Sequence, residues 1–202
     1  MAKKVDHAQR RQEIARTALR LFSQVGYDNV SLIMIAAASG ISRTVLYRYF
    51  CSKREVMDAA IHSVTDVVAL RCQSVLKSGG TTPEKLEKIC HVVVEEMFAH
   101  RDFVIAVFDF VVGMVRSGAD MNAGINEYTA GTRNAIRLLI SHGKRRGEFP
   151  AALVDERTAD ALYAEFESCA MRIVLNTERT NDAAKRRFSD AIHALSAGKF
   201  TL

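Results

Sequence analysis

A four-residue junction, Ser39-Gly40-Ile41-Ser42, sets the geometry of everything near the start of this chain. Ahead of it, Ser31 can cap a short helix running through Ile35 to Ala38; behind it, Ser42 can cap another that reaches Phe50. Glycine permits the positive φ of a tight turn, and Ile41 plugs inward, so the two helices must meet at a sharp angle. An earlier stretch supplies a third helix, with Ile14, Ala18, Leu19, Phe22 and Val25 at helical spacing and Gly26 placed for a left-handed cap. The chain therefore begins with a three-helix head.

The remainder is also helical. Ser52-Lys53-Arg54-Glu55 has the spacing of a capping box, and the helix it opens, with Val56, Ala60, Val64, Val67 and Val68, can run to about Lys77 as a strut. Ser78-Gly79-Gly80-Thr81 breaks it, and Thr82-Pro83-Glu84 starts the next, carrying Ile89, Val93 and Phe98. An apolar helix is expected from about Asp102 to Val115, then a long one from Met121 to Lys144, ended by the turn Gly147-Glu148-Phe149-Pro150. Two helices close the chain, one capped by Asp155 and one starting after Asn181. With two prolines in 202 residues and no alternating strand pattern, the expected fold is all-α. It comprises about nine helices, divided into a head over residues 1–52 and a larger helical domain over 53–202.

Charge is segregated along the chain. The net charge is +5, yet residues 1–54 hold ten Lys and Arg against three Asp and Glu, and the rest holds 18 against 20. A basic head favours a polyanionic partner. No apolar stretch approaches the roughly 20 residues needed to cross a bilayer, and the polar residues after Lys4 do not form a signal core, so a cytoplasmic protein without membrane contact is expected. Cys51, Cys72, Cys90 and Cys169 are widely spaced and have no histidine cluster at metal-ligand spacing, which suits free thiols and no metal. No Gly-rich phosphate loop or nucleophile elbow is present, so neither a cofactor nor a catalytic centre is expected.

The run from Ile35 to Val56, with Ser39-Gly40-Ile41-Ser42, Tyr47-Arg48-Tyr49-Phe50 and Ser52-Lys53, resembles the TetR family of repressors over roughly residues 10–60. The third helix must present polar groups to a major groove while Val45 or Leu46 packs inward with Phe50. Arg43, Thr44 and Arg48 are the candidates for reading bases, because arginine can pair bidentately with guanine and threonine can touch a thymine methyl. Ser42, Tyr47, Tyr49 and Lys53 resemble the family's phosphate-contacting positions, and Ser31 can join them. The chain departs from the family pattern at Ile33, where a basic residue is common, and at Thr44-Val45, which replaces a frequent Gly-Thr pair. Ile33, Met34, Ala37 and Ala38 also make the second helix apolar on its expected outer face.

The resemblance implies a C-terminal domain that receives a small-molecule effector and forms a homodimer. Met97, Phe98, Phe103, Val107, Phe108, Phe110 and Met114 are apolar enough to line a cavity, or an ordinary core, and His62 could orient a ligand. The apolar stripes of the last two helices, carrying Leu162, Phe166, Ala170, Ile173, Phe188, Ile192 and Leu195, suit packing across a two-fold axis or against the protomer's own core. A dimer would meet double-stranded operator DNA at two half-sites about 34–36 Å apart, which makes the operator palindromic. The implied function is a repressor released by a mainly apolar effector. An effector-independent DNA-binding protein, activating or organising the chromosome, uses the same head; an all-helical enzyme is the outsider.

Overall fold

The computed structural model describes residues 7–118 and 121–199, with side chains from residue 130 onward in the second span. Among these residues there are nine helices and no strand: α1 (His7–Val25), α2 (Leu32–Ala38), α3 (Arg43–Leu46), α4 (Lys53–Lys77), α5 (Thr82–Ala99), α6 (Arg101–Arg116), α7 (Met121–Arg145), α8 (Asp155–Val174) and α9 (Asp182–Ser196). Among the described residues, no helix is long and apolar enough to cross a membrane. The chain divides into two compact units, residues 1–67 with 100–119 and residues 68–99 with 120–202. The expected boundary lay after residue 52, whereas packing draws the start of α4 and the whole of α6 into the same unit as the head.

Local sequence explains most of the first unit. Ser31 caps α2 by accepting from Met34 N, and Ser42 caps α3 by accepting from Val45 N. Gly26 closes α1 with φ of 87°, a left-handed value that costs a glycine little. Ile14, Ala15, Ala18 and Phe22 of α1 share a core with Ile35, Leu46, Phe50, Val56, Met57 and Ala60, all of them buried. α6 packs on α1 and also seals the loop after it. Asp109 accepts from Tyr27 N at 2.6 Å, and the Tyr27 ring lies between Phe22 and Phe110, with centroids at 5.2 and 4.7 Å. Burial pushes the Tyr27 phenol above its ordinary pKa.

The second unit is built on two seams, α5 against α9 and α7 against α8. Leu86, Cys90 and Val94 of α5 and Ala184, Phe188, Ile192 and Leu195 of α9 are fully buried, and the Phe188 and Phe166 rings lie 4.4 Å apart. Three termini differ from expectation. Glu55 turns its carboxylate to Cys51 N at 2.8 Å, one residue before the partner a reciprocal capping box would use, while Ser52 still accepts from Glu55 N. Asp155 is the first residue of α8 and not its cap, because its carboxylate is taken by Lys144 at 2.7 Å. α5 opens on a reciprocal capping box one residue ahead of the expected Thr82 start, with Thr81 N donating to Glu84 at 3.0 Å and Glu84 N to Thr81 Oγ1 at 3.4 Å.

Candidate nucleic-acid interface

The polar surface around α3 rests on two fully buried side chains, Leu46 and Phe50. A helix was expected to run through Phe50, but α-helical geometry ends at Leu46. The coil then tightens, with Arg48 N donating to Val45 O at 3.1 Å and Tyr49 N to Leu46 O at 2.9 Å, and this carries Phe50 into the core. Val45 is only half-buried, so the inward pair is Leu46 and Phe50. Ser42, Arg43, Thr44, Tyr47 and Arg48 are all exposed, and Ser31 is exposed at the start of α2.

Two of these side chains hold each other. Arg43 donates to the Tyr47 hydroxyl at 3.1 Å, one helical turn away, and its guanidinium lies 5.3 Å from the ring centroid. The contact orients a guanidinium that would otherwise lose rotamer freedom on binding. Tyr49 faces differently. It is half-buried, its ring stacks on His7 at 4.5 Å, and its carbonyl accepts from Arg11. Lys53, at the start of α4, is anchored to the loop after α1. Its ammonium donates to the carbonyls of Tyr27 at 2.7 Å and Asp28 at 3.2 Å, and lies 4.3 Å from the Tyr27 ring centroid. A lysine tied to two neutral carbonyls keeps its positive charge uncompensated, which suits a phosphate neighbour.

The wall behind this surface was not legible as a site. Arg11 pairs with Glu55 at 2.6 Å and lies 4.4 Å from the Phe50 ring centroid, while Arg54 pairs with Asp58 at 2.8 Å. These arginines belong to the scaffold. Arg43 and Arg48 form no ion pair among the described residues. Basic side chains one turn apart on α1, Arg16 and Arg20, are likewise exposed.

Residues 14–60 match the family model described as bacterial regulatory proteins, tetR family. Over this stretch the chain is similar to the DNA-binding head of the TetR family. Its regulator relatives include an HTH-type transcriptional regulator of Mycobacterium bovis, 24% identical over 185 residues that cover 91% of this chain and 86% of the relative. The nucleoid occlusion factor SlmA of Marinobacter nauticus is 28% identical over 82% of this chain and 84% of its own. A TetR-family regulator structure from Syntrophomonas wolfei superposes with a TM-score of 0.82 at 17% identity, covering 98% of this chain and 100% of the other, and so shares the fold. This TetR-type chain is a DNA-binding transcriptional regulator.

The residues nominated for an effector are divided between the two units. Met97 and Phe98 belong to the second, whereas His62, Phe103, Val107, Phe108, Phe110 and Met114 belong to the first. His62 is exposed. Phe110 and Met114 have work inside the first unit. Phe110 packs on Tyr27 and lies 5.0 Å from the Arg54 guanidinium, which also reaches Met114 Sδ at 3.9 Å. Within the second unit, a cleft of about 350 Å³ between α7 and α8 is lined by Ala130, Arg133, Asn134, Arg137, Glu156, Ala159 and Asp160, none of them among the apolar residues nominated for an effector.

The residues nominated for dimerisation lie in the second unit. Leu162, Phe166, Ile173, Phe188, Ile192 and Leu195 are buried within one protomer, and Ala170 is half-buried. Their stripes serve the protomer's own core, which satisfies the same periodicity that a two-fold contact would. The cysteines are free: Cys90 and Cys169 are buried, Cys72 is half-buried and Cys51 is exposed. Burial pushes the Cys90 thiol far above its ordinary range and that of Cys169 up to about 11, which leaves both unreactive as thiolates.

Proposed function

We propose that this regulator is a repressor that reads a palindromic operator through Arg43, Thr44 and Arg48. Ser31, Ser42, Tyr47, Tyr49 and Lys53 grip the phosphates, and a small molecule releases the complex. The observation that carries the reading is the pair of exposed arginines that form no ion pair among the described residues, on a coil held down by Leu46 and Phe50. Guanidinium groups whose charge no carboxylate neutralises, set on a rigid base, can neutralise phosphates or pair bidentately with guanine.

Dimerisation, in this reading, engages α8 and α9 through side chains still open in one protomer, such as Met171 at 41% exposure and Leu175 at 63%. Sedimentation at micromolar concentration should give a dimer. Effector binding favours a dimer whose heads are wrongly spaced for the duplex, and α4, 25 residues long, is the element that would carry the head. The deciding experiment enriches genomic fragments with the full chain and follows affinity against salt. A steep salt dependence that weakens when Tyr47, Tyr49 and Lys53 are replaced supports the reading; affinity indifferent to salt and to those changes removes it.

A second reading has one observation in its favour, the similarity to a nucleoid occlusion factor along most of both chains. A chromosome-organising protein would enrich many dispersed sites and ignore small molecules. A repressor would enrich one or a few sites near promoters.

A further inference from the structure

α2 contains no polar side chain. Its seven residues are Leu-Ile-Met-Ile-Ala-Ala-Ala, of which Ile35 and Ala36 are buried and Leu32 is half-buried. The other four face out, with Ile33 58% exposed, Met34 37% exposed, and Ala37 and Ala38 one turn further along the same two rows. Leaving an isoleucine and a methionine in water on so short a helix sacrifices burial that most helices of this length use for stability. The strip leads directly into the turn before α3, where Gly40 N donates to Ala37 O and Ile41 N to Ala36 O, and so it is continuous with the surface carrying Arg43 and Thr44.

Charge complementarity identifies the occupant. The strip lies in a segment with ten cationic against three anionic residues, so whatever covers it is anionic around an apolar patch. In helix-turn-helix docking the first helix of the pair crosses the backbone beside the major groove that the second helix enters. A helix there with arginine or asparagine would bond to phosphates or base edges. α2 has only backbone and the Ser31 hydroxyl, which already accepts from Met34 N at 3.3 Å. The one apolar feature that a major groove presents in a sequence-dependent way is the C5 methyl of thymine.

We propose that α2 reads thymine methyl groups through Ile33 and Met34, adding apolar recognition beside the polar reading of α3. This rests on the DNA-reading assignment above and extends it to a base preference at positions that α3 does not contact. Ala37 and Ala38 keep the strip shallow, which lets the helix approach the groove closely.

The test changes the DNA, so folding of a variant does not limit it. A duplex enriched from a random pool by the full chain is resynthesised with deoxyuridine replacing one thymidine at a time, which removes only a methyl. Affinity is read by fluorescence anisotropy. At one or two positions in each half-site the native chain should lose about fourfold per methyl. The Ile33→Ala/Met34→Ala double variant should bind the thymine duplex more weakly and lose nothing further at those positions. If every uracil duplex binds the native chain undiminished, or if the double variant shows the same losses, the proposal is overturned while DNA binding stands. If no duplex is enriched at all, the DNA-reading assignment fails, and this proposal fails with it.

Discussion

In the second unit Arg187 is held by Glu165 and Glu178, Arg71 by Glu95 and Glu96, Lys185 by Glu95 and Lys144 by Asp155, whereas in the head Arg43 and Arg48 form no ion pair among the described residues. The same residue types therefore do two jobs. Where a cation is paired across helices, it fixes the packing of α5 on α9 or of α8 on its neighbour; where it is left open, its charge is available to a second molecule. Composition points to a basic head, but pairing separates the scaffold cations Arg11 and Arg54, each on a carboxylate, from those free to meet a phosphate. A basic segment is a binding surface only to the extent that its own acids leave it uncovered.

The sharpest way to break this contrast is to damage the closed region and watch the open one. Phe188 is fully buried against Phe166, and Phe188→Ala should cost about 3–5 kcal/mol in chemical denaturation. Arg48→Ala, at an exposed site, should change stability by no more than about 0.5 kcal/mol. A loss below about 1 kcal/mol at Phe188 would show that its stripe covers something other than the protomer's core.

The second effect belongs to the head. Arg43→Ala should weaken operator binding by about 1–3 kcal/mol if the guanidinium reads guanine, with preference relaxed at that base pair. Where Arg48 contacts phosphate, its removal should weaken all duplexes alike and lower the salt slope by about one. Arg71→Ala, equally basic but paired with Glu95 and Glu96, should leave the slope unchanged. A slope that falls as much for Arg71 as for Arg48 would erase the distinction between paired and open cations.

Much of this division was legible before the structure. Ser31, Ser42 and Ser52 cap helices as their spacing implied, and the outward set Arg43, Thr44, Tyr47 and Arg48 followed from placing Val45 or Leu46 inside with Phe50, a choice the structure makes for Leu46. Capping is local chemistry, so sequence carries it. What failed to show was long-range partnership. Asp109 reaches Tyr27 N across 82 positions, and nothing near Asp109 in sequence marks it as the lock on the loop after α1. The stripes of α8 and α9 were visible as stripes, but periodicity says which residues share a face and not which surface covers it. Lys53 starts α4 where the Ser52–Glu55 spacing put a helix start, while its anchoring to the Tyr27 and Asp28 carbonyls depends on a loop 25 residues away.

Within the second unit, Arg187→Ala is the next smaller effect. It removes the partner shared by Glu165 and Glu178, and the Glu178 side chain is only 10% exposed. Leaving that carboxylate with a weaker set of donors should cost about 1–3 kcal/mol in denaturation, with operator affinity per folded molecule unchanged. A comparable loss of DNA affinity would mean that the ion pairs of this unit are not merely packing devices.

The smallest effect is a pH dependence, and its sign follows from one carboxylate. Glu148 accepts from Thr82 N at 2.9 Å at the start of α5 and pairs with Arg146 at 2.9 Å. Hydrogen bonding from Thr82, followed by that from Arg146, lowers its pKa from the ordinary 4.5 to about 2. Because the folded value lies below the unfolded one, the contribution is complete above about pH 4.5 and drains away as pH falls towards 2. Glu95, lowered by Lys185 and Arg71, acts in the same direction. Glu148→Gln should therefore flatten the acid limb of a plot of melting temperature against pH over that interval, leaving its slope from pH 6 to 8 as in the native chain. Neutralising Arg43 or Arg48, which touch no carboxylate among the described residues, should leave the acid limb unchanged. If those head variants flatten it as Glu148→Gln does, then the open cations are paired in solution after all, and the contrast between the two units is lost.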